Sequence, residues 1–312
     1  MIIRLGYVSY SKSIENIAKF HNLTYTEFSK NNDYPKLDNL IKANFATLYQ
    51  ILKYNQRNQI HFYRLTSNFI PLATHDKVIF DYLTKYQAYY DKAFNLIGDM
   101  RIDMHPDQFA VLNSTKKEVL ANTKEILEYH YAILKTFKIA HPIIILHVGS
   151  SVFGKNHSIQ RFIYNFKLLP DYLKKAIAIE NDDKIYNIKD VLKLCQILNV
   201  PFVFDYHHYR CNNEGENYLD YLPRIFATWK DIRPKIHFSS PKNKIKKDFR
   251  SHNDYIEVND FILFLESIKN LNYDIDIMLE AKAKDEALFR LVRELKLLTN
   301  YEFMDETTFI IK

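Results

Sequence analysis

The sequence predicts a single (β/α)8 barrel of the TIM type, with its active site at the C-terminal ends of the strands. Three observations carry that expectation: short apolar runs alternate with amphipathic segments along the whole chain, eight of each can be counted, and neither a composition break nor a flexible linker divides them. With 312 residues, 47% of them hydrophobic, the chain can fill one large core, and residues 1–312 are expected to form one domain.

Residues 2–7 form an apolar first strand. Residues 37–54 follow with apolar side chains at helical spacing (Leu37, Leu40, Ile41, Leu48, Ile51, Leu52), which completes one βα unit. The second strand, 60–65, leaves through a polar loop at 66–75 before a helix over 78–96 that Gly98 ends. A third strand, 99–105, precedes a helix reaching Lys138. The fourth, 142–148, is the plainest, because Ile143-Ile144-Ile145-Leu146 is apolar on both faces, as strands of a buried parallel sheet are. Helix 159–174, strand 176–180, helix 188–198, strand 200–205, helix 219–229, strand 235–240, a helix to Ile268, strand 275–279 and a helix to Leu298 complete the series.

The strand exits are unusual. Residues 200–210 run apolar from Val200 and then stop on Asp205, with His208 three residues further, so both side chains can reach one point; this pair suits Mn²⁺, Zn²⁺ or Fe²⁺ better than Ca²⁺. The pattern recurs, and because a barrel gathers its strand exits on one rim, it collects His105, His147, Glu180, Asp205, His208, Lys235, His237, His252 and Glu280 at one mouth. A core strand need not end in any particular residue, so six successive exits on metal-competent side chains predict a polynuclear metal centre. Glu180 and Glu280 could bridge ions and the histidines cap them, an arrangement that activates water and neutralises a phosphoryl transition state. His21, His61, His130, His141 and His157 lie off these exits and are expected to be structural.

The formal charge of +6 permits a polyanionic partner. The loop 241–254 is basic, with Lys242, Lys244, Lys246, Lys247 and Arg250 placed to neutralise phosphates. Two cysteines, Cys195 and Cys211, are too few for a disulfide framework, and no uninterrupted apolar stretch has spanning length; a cytoplasmic protein is expected. The 23 tyrosines and 22 phenylalanines, with abundant Lys, Asn and Ile, match AT-biased coding as well as they match stacking surfaces.

The motifs Arg4-Leu5-Gly6-Tyr7, Tyr63-Arg64-Leu65-Thr66-Ser67, Met104-His105-Pro106-Asp107-Gln108, Leu146-His147-Val148-Gly149, Ile179-Glu180-Asn181-Asp182, Phe204-Asp205-Tyr206-His207-His208, Lys235-Ile236-His237-Phe238-Ser239, Ser251-His252 and Met278-Leu279-Glu280-Ala281 together resemble the UV damage endonucleases, a family related in fold to endonuclease IV. The resemblance spans nearly the whole chain. It implies a DNA repair enzyme, a monomer, that nicks double-stranded DNA immediately 5′ to pyrimidine dimers and 6-4 photoproducts, leaving a 3′-hydroxyl and a 5′-phosphate, with abasic sites as a further substrate.

Carried over by position, the resemblance makes His105, His147, Glu180, Asp205, His208, His237, His252 and Glu280 metal ligands, for up to three ions, Mn²⁺ first and Zn²⁺ or Co²⁺ compatible with the donors. Lys235 matches a lysine that is carboxylated in the family, which would turn a cation beside His237 into an anionic ligand. Glu180, Lys235 and His237 would serve the chemistry, with Tyr7 and His75 near the cut phosphate. Gln108 and Phe109 match a pair that wedges into the helix where damaged bases turn out; Phe109 replaces the tyrosine expected there, keeping the ring and losing its hydroxyl.

Two other barrel enzymes share parts of this pattern. An endonuclease IV-like abasic-site enzyme calls for an Asp-x-His pair after strand seven, where this chain has His252-Asn253-Asp254. A xylose isomerase-like sugar enzyme also uses rim carboxylates and histidines, and the basic loop and the Gln108-Phe109 wedge argue against its small neutral substrate.

Overall fold

The computed structural model describes all residues of the chain except 244 and 246. Eight parallel strands, β1 (Ile2–Val8), β2 (Phe62–Leu65), β3 (Arg101–Met104), β4 (Ile144–His147), β5 (Ile177–Glu180), β6 (Phe202–Asp205), β7 (Lys235–Phe238) and β8 (Ile275–Leu279), pair in order. β1 closes the circle against both β8 and β2. The predicted (β/α)8 barrel is the fold. Closure depends on Gly6, which faces inward: a Cβ there would lie 2.4 Å from the Phe62 carbonyl oxygen, so any side chain would push β1 off β2.

The register fixes which side chains fill the barrel, because alternate residues face opposite sides of a strand. Tyr7 and Val8 lie level with Tyr63 and Arg64, Arg64 with Asp103, His147 with Glu180, Asp205 with His237, and Lys235 with Asp276. Ile143, Ile145, Ala178, Val203 and Trp229 form a separate buried cluster inside the barrel, and the main apolar core lies between strands and helices. Below that plug, Asp276 accepts from Arg4 (2.7 and 2.8 Å) and Arg101 (2.8 Å).

The helices follow their local chemistry. α2 (Tyr34–Arg57, after the short α1, Tyr25–Phe28) starts where Asp33 accepts from the Lys36 amide and Pro35 occupies the first turn. Its buried stripe is Leu37, Ile41, Phe45, Leu48, Ile51 and Leu52. The helix expected over 78–96 is shorter: α3 spans Gln87–Ile97, and the stretch before it is taken up by the Asp81 carboxylate, which accepts from the Leu83 and Thr84 amides, and by a 3₁₀ turn at Thr84–Tyr86. α4 is Lys117–Thr136. The helix expected over 159–174 is two, α5 (Lys155–Lys167) and α6 (Asp171–Ala176), split at Pro170, which has no amide hydrogen to give. α7 (Ile188–Leu198) matches its expected span, held by a reciprocal Asn187/Asp190 capping box. α8 (Tyr206–Cys211) begins at the β6 exit, α9 is Leu222–Ala227, α10 Val258–Ile268 and α11 Lys284–Leu298. A terminal hairpin, β9 (Glu302–Phe303) and β10 (Thr308–Ile310), was not foreseen; β10 runs antiparallel to Ile2–Arg4, along the edge that β2 leaves open lower down. Among the described residues no helix is long and apolar enough to cross a membrane.

Candidate metal centre and nucleic-acid interface

Glu180, at the end of β5, is the hub of the mouth. Its Oε2 lies 2.9 Å from His105 Nε2 and 3.6 Å from His147 Nε2; its Oε1 lies 2.7 Å from His237 Nδ1 and 3.5 Å from His208 Nδ1. Asp205 holds His208 by capping α8: its Oδ1 accepts from the His208 amide at 2.7 Å. Its Oδ2 is buried without a hydrogen-bond partner, 3.8 Å from His208 Nδ1 and 4.0 Å from His237 Nδ1. Glu280 lies 3.3 Å from His237 Nδ1, and His252 reaches its edge at 4.0 Å. Three sets of converging donors result, His105/His147/Glu180, Glu180/His237/Glu280 and Glu180/Asp205/His208, each with its ligand atoms within 4.8 Å of one another and all sharing Glu180.

Electrostatics strain this cluster as it stands. Burial, aided by the positive charge of Arg64, pulls His105 down to about 4, so its ring carries one proton. That proton is committed, because His105 Nδ1 lies 2.8 Å from the Pro106 carbonyl, which can only accept. The Nε2 lone pair therefore faces a carboxylate oxygen, a contact that needs a shared cation or a proton on Glu180. Burial first, then the charges of Glu280 and Asp205, push the Glu180 carboxyl well above the usual carboxylate range despite His208. Burial opposes ionisation of Glu280 too, yet His237, Arg64 and His252 outweigh it and hold that carboxyl well below its ordinary value. His147 and His237 are pushed well below theirs, by burial first. His208 alone rises, to about 9, since Asp205 and Glu180 overcome its burial. Neutral imidazoles at His105, His147 and His237 and three carboxylates, one of them Asp205 with its orphaned oxygen, are the donor set of a divalent-cation site, and the residues fit such an ion.

The structure also shows what sequence reasoning missed. Arg64 is buried and donates to Glu280 Oε1 (2.6 Å), with its other terminal nitrogen 2.5 Å from His237 Nε2 and its Nε 3.4 Å from Asp103. Asp103 in turn receives Lys235 Nζ at 2.5 Å. The signal was present: a charged residue midway through a four-residue strand, on its inward-facing alternate, occurs at both Arg64 and Asp103. Asn181 is another, bracing β6 by accepting from the Asp205 amide (2.8 Å) and donating to its carbonyl (3.0 Å).

Several predicted residues stand elsewhere. Lys235, as the free amine, lies one level lower than His237, paired with Asp103 and against the Phe62 ring; burial draws it down to about 7 against the pull of Asp103. Tyr7 corrects the expectation: it faces out of the barrel, is fully buried, and its hydroxyl donates to Asn55 of α2 at 2.7 Å, so packing holds it away from the mouth. His75 lies on the loop after β2, stacked on Tyr25 with centroids 4.0 Å apart. Gln108 and Phe109 are exposed, Phe109 at 71%, on a turn where Asp107 Oδ1 accepts from the Phe109 amide at 2.9 Å. They line a cavity of about 640 Å³ at the mouth together with His147, His208, Lys184 and Arg250. Lys242, Lys247 and Arg250 are exposed on the loop after β7; Lys244 and Lys246 lie outside the described residues.

The fold and the site define a class: a barrel enzyme with a buried carboxylate–histidine centre at its mouth, flanked by the exposed Gln108-Phe109 turn and a basic loop. The chain belongs to the family described as UV-endonuclease UvdE, whose sequence profile matches residues 3–308. It is 41% identical over 303 residues to a UV DNA damage endonuclease of Bacillus cereus (strain B4264), covering 95% of each chain, and 38% identical over 316 residues to one of Bacillus thuringiensis subsp. konkukian (strain 97-27), covering 99% of each. The crystal structure of SacUVDE superposes with a TM-score of 0.85 at 34% identity, over 95% of this chain and 99% of that one. Endonuclease IV from Thermus thermophilus shares the fold alone, with a TM-score of 0.58 at 9% identity over 94% of this chain and 98% of that one.

Proposed function

We propose that the protein is a DNA repair endonuclease that nicks double-stranded DNA immediately 5′ to pyrimidine dimers and 6-4 photoproducts, and also at abasic sites, leaving a 3′-hydroxyl and a 5′-phosphate. The observation that carries the reading is Glu180, one buried carboxylate shared by three converging donor sets. His105, His147, Glu180, Asp205, His208, His237, His252 and Glu280 would hold up to three divalent ions, Mn²⁺ first among them. Such ions, when bound, lower the pKa of a coordinated water and offset charge developing on a phosphoryl group.

The chain's own residues do the rest. Arg64 fixes Glu280 and His237 by direct hydrogen bonds and brings a permanent positive charge to the site where phosphate charge would grow. Asn181 and the α8 cap hold Asp205 and His208 before substrate arrives. Lys235, drawn down to about 7, is a neutral amine for a large fraction of the time near neutral pH, and that form could take up CO₂ with loss of a proton to give the carbamate in which it would serve as a ligand. Gln108 and Phe109 would enter the opened helix as the damaged bases turn toward the mouth cavity, His75 would touch the backbone from its loop, and Lys242, Lys247 and Arg250 would contact phosphates. The protein would act as a monomer.

A 5′-labelled duplex carrying one cyclobutane dimer, incubated with protein and Mn²⁺, tests this reading by the length of its product. A single cut directly 5′ to the dimer, with the undamaged duplex intact, is expected. Cutting only at abasic sites would move the enzyme to the abasic-site class, and no cutting of any duplex would remove the nuclease reading.

A further inference from the structure

Phe153, at the apex of the loop joining β4 to α5, is 77% exposed, and Val152 beside it is 46% exposed. Its backbone lies in the left-handed region at φ 63°, which bulky side chains avoid, and Gly154 follows at φ 95°. The loop is fixed on both sides. The Val152 carbonyl accepts from Arg161 (2.6 Å) and from the Ser158 hydroxyl (3.0 Å), and the Ser150 carbonyl accepts from Asn113 (2.6 Å) and from the Tyr186 hydroxyl (2.8 Å). Gly149 has no room for a side chain, since a Cβ there would lie 2.5 Å from Asn113 Oδ1. A rigid loop thus holds an aromatic ring in solvent at a strained position.

The location says what the ring is held out for. Two residues upstream of Gly149, the same stretch supplies His147 to the donor cluster, and Gly149 and Ser150 line the mouth cavity together with Phe109 and Arg250. Asparagine or glycine would occupy residue 153 with less strain, so a phenylalanine at this exposed position points to a use for the ring. We propose that Phe153 is a second DNA-contacting aromatic, stacking on a nucleobase of the duplex beside the position that Phe109 opens. The proposal rests on DNA as the substrate of the mouth. Base stacking suits a preset ring because every base offers a π face, and continuity with the cavity and its flanking Lys184 and Arg250 favours DNA as the occupant over a protein surface.

Fluorescence anisotropy of the full-length, metal-loaded protein on a dimer-containing duplex, with melting temperatures measured in parallel, tests it. Phe153→Ala and Phe153→Asn should each bind about tenfold more weakly, the order of one lost aromatic–base stack, with a melting temperature equal to or above wild type and an unchanged incision rate at saturating protein. Phe153→Trp should restore affinity. A 2-aminopurine next to the dimer should change its fluorescence on binding wild type and not on binding Phe153→Ala. Wild-type affinity in Phe153→Ala and Phe153→Asn overturns the proposal, as does weaker binding that follows a fall in melting temperature and is not restored by Phe153→Trp. If the wild type itself neither binds nor cuts the dimer duplex, the DNA reading of the mouth fails, and this inference with it.

Discussion

At the lower end of the barrel Asp276 is fully buried and held by Arg4 and Arg101 at 2.7–2.8 Å, with Arg233 3.9 Å away, so positive charge surrounds one carboxylate. At the mouth the balance is reversed: Glu180, Asp205 and Glu280 crowd together among histidines of which only His208 is pushed toward its charged form. Burial would raise Asp276, yet Arg4 and Arg101 bring it below the ordinary range; Glu180, buried as deeply, is pushed the other way. One layer is electrostatically finished by the polypeptide. The other is left unbalanced by the polypeptide, with a donor set that fits divalent cations, and that contrast separates a charge cluster suited to stability from one suited to chemistry.

Substitutions at the two ends should therefore have opposite signatures. Glu180→Gln, by emptying the hub of all three donor sets, should lower incision more than about 100-fold, since even changes behind metal ligands cost 10–100-fold. Its melting temperature in metal-stripped protein should not fall. A carboxyl whose pKa is raised on folding contributes stability at low pH and loses it as pH rises through the folded value, so at neutral pH its removal relieves the fold. Near-normal incision by this variant would remove the metal mechanism.

Asp276→Asn is expected to do the reverse, costing about 3 kcal/mol in denaturant unfolding because it leaves arginines in a low-dielectric layer with their partner gone. Incision by the folded fraction should be unchanged. A loss of activity without a loss of stability would mean that the lower layer steers the mouth.

The proposed wedge residue Phe109 should give a smaller, substrate-dependent effect. Phe109→Ala should weaken binding to a dimer in duplex DNA by roughly 1–3 kcal/mol while leaving metal content intact, and the loss should shrink for an abasic site, where less stacking remains to be replaced. Equal slowing of every DNA substrate, or a fall in metal content, would make this ring packing for the neighbouring His105. Smallest in affinity is the basic loop: replacing Lys242 and Lys247 together should weaken damaged and undamaged DNA alike and reduce the salt slope by about two. An unchanged slope would return the loop to a solvated face.

The barrel was legible because short, largely apolar runs, plainest in β4, alternate with amphipathic segments, and the strand exits named the donors because a (β/α)8 barrel places every exit on one rim. Boundaries set by single side chains were harder to read. Asp81 and the 3₁₀ turn at Thr84–Tyr86 take up the stretch before α3, which starts only at Gln87, and Pro170 divides one predicted helix into α5 and α6. Tyr7 shows a different limit: it follows directly on inward-facing Gly6, and a one-residue alternation turns its side chain to the helix side, where Asn55 holds it. Arg64 and Asp103 were passed over because charged strand residues look like surface positions until the register with Val8 of β1, two residues after Gly6, sets both inside.

The central claim, that the mouth needs external cations to work, is tested most directly by stripping the protein of metal and adding back Mn²⁺, Zn²⁺, Co²⁺, Mg²⁺ or Ca²⁺ singly, with incision of the dimer duplex as the readout. The structure predicts no cutting by the stripped protein, recovery with Mn²⁺, and little or none with Ca²⁺, whose preference for oxygen ligands the imidazoles do not meet. Undiminished incision by the stripped protein in excess chelator would contradict it.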